Sequence, residues 1–88
     1  MTHSAQHRRT RHHLPARWHV LAELLMHCRR FSGDALFIAA DALAEFACDA
    51  DMLGAPDMAA EARGLATRLR DAGTCRARQD TATGATHG

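Results

Sequence analysis

Between Leu14 and Leu69, apolar residues recur at alternating steps of three and four, the period of helices that bury one face. Leu14, Trp18, Leu21, Leu25 and Cys28 form one seam, and Leu36, Ala39, Leu43, Phe46 and Ala50 a second. Met58, Ala62, Leu65 and Leu69 form the third. Turn residues separate the three. Ser32-Gly33-Asp34 offers Gly33 as a left-handed cap and Asp34 as the N-cap of the next helix. Gly54-Ala55-Pro56 closes the second segment, and Gly73 is a natural stop for the third. The pattern predicts an all-α fold, a small antiparallel three-helix bundle with helices at about 14–31, 35–53 and 56–72. Residues 1–13 form a basic arm and 74–88 a tail rich in Thr, Gly and Arg; neither has apolar periodicity, so both are expected to lack stable structure. The bundle domain is then 14–73.

The first helix carries more apolar surface than one seam requires. At about 100° per residue, Val20, Leu24 and Phe31 fall to one side of the seam, and Ala22 and Met26 to the other. Three large side chains together mark an interface, and Val20, Leu24 and Phe31 are its candidate residues. Met26, Met52 and Met58 sit at helical spacing and read as core filler.

Composition supports the helical reading. Alanine dominates the apolar residues, Tyr is absent, and only Trp18, Phe31, Phe37 and Phe46 are aromatic. A chain of 88 residues builds a marginal core alone, and dimerisation is the simplest remedy. Every Lys/Arg position is Arg, a bias expected of a GC-rich, bacterial genome. The net charge of +1 hides a polarity. Nothing before Glu23 is acidic, whereas the stretch from Asp34 to Glu61 holds only carboxylates among its charged residues. Cys28, Cys48 and Cys75 are odd in number and lack CxxC spacing, which points to a reducing cytoplasm. Cys28 and Cys48 read as small buried hydrophobes and Cys75 as exposed. Neither a secretory signal nor an apolar run near ~20 residues is visible, so no membrane partner is expected.

Two constellations could carry chemistry. His19, Glu23 and His27 stand at successive steps of four on the first helix, a spacing that can stack metal ligands. Asp41, Glu45 and Asp49 form a matching row on the second. Both rows lie opposite the seams and read equally as solvated faces, and neither ExxH nor HExxH spacing occurs. No cofactor is expected. Arg8, Arg9, Arg11 and Arg17 could lie along a phosphate backbone, although aromatics for base stacking are missing.

His27-Cys28-Arg29-Arg30 is similar to the exposed histidine and following basic residue of histidine phosphotransfer domains. The likeness spans four residues, and Phe31 stands where those domains want a glycine. It assigns no family. The sequence reading is therefore a non-enzymatic helical interaction or regulatory module, a homodimer or the partner of another helical protein. A nucleic-acid-associated regulator using the basic arm is the alternative. A metal or phosphoryl carrier on the His19/Glu23/His27 face is the weaker one.

Overall fold

The computed structural model describes residues 13–87, with side chains through Thr81. It holds three helices: α1 (Ala16–His27), α2 (Gly33–Met52) and α3 (Pro56–His87). No strand occurs among the described residues. The expected three-helix all-α bundle is present, with α1 and α3 running one way and α2 the other. Of the expected arm, residues 1–13, all but His13 lie outside the described residues.

α2 and α3 form the structural spine, and α1 leans on them with a much thinner contact. The spine is seamed by small residues. Gly33, Ala40 and Ala47 recur every seven positions on α2, as do Ala59, Ala66 and Gly73 on α3, and all six are buried. A methyl group on Gly33 would come within 2.8 Å of the Gly73 carbonyl oxygen. Since both helices rise about 1.5 Å per residue, the antiparallel pairing that sets Gly33 against Gly73 also sets Ala40 against Ala66 and Ala47 against Ala59. Side chains this small let helices approach at the short end of the usual range of about 8–10 Å. Leu36 and Leu69 are the largest fully buried side chains among the described residues.

The turns follow local chemistry. Ser32 caps α2, its hydroxyl accepting from the Ala35 amide at 3.3 Å. Gly33 is thus the first helical residue rather than a left-handed cap, and Asp34 sits in the first turn, where the helix dipole favours a carboxylate. The left-handed position belongs to Gly54, with φ 81°. Around it, the Ala55 amide donates to the Ala50 carbonyl and the Gly54 amide to that of Asp51, both spare C-terminal acceptors of α2.

Two boundaries depart from expectation. α1 ends at His27, and Cys28 is extended. The cause is long-range: the Arg76 guanidinium donates to the carbonyls of Met26 (2.7 Å), Cys28 (3.0 Å), Phe31 (2.7 Å) and Leu25 (3.4 Å). Those four acceptors no longer need a continuing helix. α3 does not stop at Gly73 but runs to His87. Gly73 is there for closeness, not termination, so the segment expected to be an unstructured tail is helical from Thr74 to His87.

Candidate functional site

The face of α1 that packs inward is rotated from the expected seam. Leu14 and Ala22 are buried, Trp18, Leu25 and Met26 half-buried, and Leu21 is 55% exposed. Trp18 meets Phe46 edge to face, ring centroids 4.9 Å apart. The rotation places Val20 (57% exposed) and Leu24 (58%) outside, together with Leu21. These three share one turn-and-a-half of α1 and form its outward apolar stripe, at whose start stands the exposed Arg17. Phe31 is exposed but lies beyond the end of α1, in the turn to α2, so it does not share the helical face with Val20 and Leu24.

More apolar surface lies elsewhere. Ile38 is 69% exposed on α2, and Met52 and Leu53 are each 85% exposed at the α2–α3 hairpin tip. Met52 is therefore not core filler. Leu21, expected on the buried seam, is exposed because α1 turns Ala22 inward in its place, and Ile38 and Leu53 were not singled out in the sequence. Cys48 is also exposed rather than buried, Cys28 is half-buried, and Cys75 is exposed on α3.

The His19/Glu23/His27 face is divided among separate partners. His19 Nε2 lies 2.7 Å from Glu61 Oε2, pointing at α3. Glu23 is held between Arg68, which donates at 2.6 Å, and His27 at 3.1 Å. Arg68 is the main reason the Glu23 carboxyl ionises below its ordinary value. Among the described residues, no three His, Cys, Asp or Glu side chains converge to hold a metal. His27 is the last residue of α1, so Arg29 and Arg30 follow in a turn and not on the next turn of the same helix. The likeness to a phosphotransfer histidine face fails on that geometry.

α1 is thus tied down at both ends by α3. At its start, Glu61 Oε1 accepts from the Leu14 amide at 3.0 Å and lies 3.4 Å from His13 Nδ1, while Oε2 meets His19. The Leu14 amide, then His19, hold the Glu61 carboxyl below its ordinary value. At its end Arg76 gathers the free carbonyls. Glu61, Arg68 and Arg76 were not singled out in the sequence; the continued spacing Leu69, Gly73, Arg76 was the available signal.

The acidic row of α2 is exposed: Asp41, Glu45 and Asp49 face solvent, with Arg70 donating to Asp41 at 2.9 Å. Arg8, Arg9 and Arg11 lie outside the described residues. No helix among the described residues is long and apolar enough to cross a membrane. No family model, curated protein or solved structure matches this chain.

Proposed function

We propose that this chain is a non-enzymatic, self-associating helical module whose docking face is the outward stripe of α1. The observation that carries the reading is an inversion of size between inside and outside. Among the described residues, seven of the eleven buried hydrophobic ones are alanines, while Val20, Leu21, Leu24 and Ile38 stand more than half exposed. Each large aliphatic side chain left in water forgoes roughly 1.5–3 kcal/mol relative to burial. A core filled by alanine gains little to compensate, because alanine removes little apolar surface from water on folding.

A second copy is the occupant that the face favours. A stripe along a single helix packs on its own copy about a two-fold axis, and the contact closes without leaving a residual apolar edge. It also completes α1, which at 12 residues is near the lower limit for a helix to persist without packing. The proposal is tested by comparing Leu24→Glu with Leu53→Glu. Both residues are exposed, but only Leu24 lies on the stripe. Leu24→Glu is expected to yield a monomer and Leu53→Glu to leave the dimer intact; equal behaviour of the two variants would overturn the assignment.

A further inference from the structure

The N-terminal arm and the outer face of α2 are complementary in charge. On α2, Ile38, Asp41, Glu45, Asp49 and Met52 recur at steps of three and four and so make one continuous stripe, with Ala42 one turn from Ile38 beside it. Ile38, Ala42 and half-buried Phe46 floor a shallow open hollow there, and Asp41, Glu45 and Asp49 rim it. All charged residues of α2 are acidic. The twelve residues before His13 contain no acid and carry Arg8, Arg9 and Arg11.

The point at which that segment joins the fold is fixed. His13 and the Leu14 amide both engage Glu61. The register that pairs Gly33 with Gly73 sets Glu61 level with Glu45, so His13 and Leu14 stand at the height of the middle of the acidic row. Trp18, one turn further along α1, touches Phe46 at the floor of the hollow. Length is sufficient: twelve extended residues reach about 40 Å, whereas the stripe from Ile38 to Met52 is only about 21 Å long. Competing carboxylates nearby are already engaged, Glu61 by α1 and Asp51 by Arg63.

We propose that residues 1–12 of the same molecule dock along the outer face of α2, with Arg8, Arg9 and Arg11 set against Asp41, Glu45 and Asp49. The three guanidiniums meet three carboxylates, one of them shared with Arg70, and the short polar side chains of the arm cover the Ile38–Ala42 floor. This contact is within one molecule and stands apart from self-association through α1. It also means that the arm's charge is partly neutralised at home, which lowers its pull on any other polyanion.

The test is a paramagnetic label placed at Ala5→Cys in full-length protein whose Cys28, Cys48 and Cys75 are replaced by Ser. Amide signals of Ile38 to Asp49 are expected to broaden several-fold at low salt. They should recover at about 1 M salt, where the screening length falls to about 3 Å. The combined Asp41→Asn, Glu45→Gln, Asp49→Asn variant should lose the broadening while keeping the helical circular dichroism of the parent. Broadening that is spread evenly, centred on Asp57, or unchanged in the neutralised variant would overturn the proposal. So would broadening that arises only between a labelled molecule and a separate isotope-enriched one. That last result would place the arm on a second copy.

Discussion

Gly33 and Gly73 meet backbone to backbone, each approaching the other's carbonyl oxygen so closely that a methyl group on either would sit about 3 Å from it, at 2.8 and 3.1 Å. The pair sets the register of α2 against α3, and every alanine layer beyond it inherits that register.

Replacing either glycine should therefore be costly even though alanine is the better helix former. Gly33→Ala and Gly73→Ala are each expected to destabilise by about 1–3 kcal/mol, the usual cost of overpacking a tight interface. Gly64 is the control, since a methyl group there meets nothing within 4 Å. Gly64→Ala should stabilise by about 0.5–1 kcal/mol through helix propensity alone. Urea unfolding of the three variants checks the contrast. Equal effects at Gly64 and Gly73 would mean that the helices do not cross as closely as described.

Arg76 should decide whether α1 stays docked. A hydrogen bond to a charged group is worth about 1.5–3 kcal/mol, less here because the guanidinium is only partly buried. Arg76→Ala is expected to speed hydrogen exchange throughout α1 and to leave the α2–α3 spine unchanged. Arg76→Lys should not restore protection, because an ammonium group cannot span carbonyls as widely spaced as a planar fork can. Exchange rates in α1 that are unmoved by Arg76→Ala would refute the latch.

Much of this could be read in the sequence, and the remainder could not for identifiable reasons. Helix number, order and the approximate position of both turns follow from apolar spacing and from Ser32, Gly54 and Pro56. The phase of α1 did not, and that of α2 did only in part, whereas α3 buries Ala62, Leu65 and Leu69 as its spacing predicts. α2 buries the expected Leu36 and Ala50, but it also turns Gly33, Ala40 and Ala47 fully inward and leaves Ala39, Leu43 and Phe46 half-buried, because its partner presents equally small residues, a property of two helices together. The end of α1 depends on Arg76, 48 residues beyond Cys28, and no local signal at Cys28 announces it. Gly73 carries the same ambiguity, since a glycine late in a helix can be a stop or a point of close approach. The exposed stripe was visible as excess apolar surface, but Phe31 was grouped with it only through the assumption that α1 continued past His27.

The Glu61 latch should impose a pH dependence of definite sign. Its carboxyl ionises below the ordinary value of 4.5 in the folded protein. A depressed folded value means that the unfolded chain takes up its proton first, so the contribution is fully present above about pH 4.5 and is lost as pH falls through the folded value. Glu61→Gln should lower the thermal midpoint at pH 6, and the gap between variant and parent should shrink steadily below pH 4.5. A gap that stays constant down to pH 3 would show that Glu61 does not hold α1 as an anion.

The claim that the outward stripe of α1 binds a second copy is tested most directly by the molar mass of the unmodified chain. Light scattering across a micromolar concentration series is the measurement, with Leu24→Glu run alongside. The account predicts a mass rising towards twice the 9.6 kDa of one chain. In the variant it predicts a constant single-chain mass with helical content unchanged. A mass of one chain at every concentration for the parent protein, or a dimer that Leu24→Glu leaves intact, would contradict it.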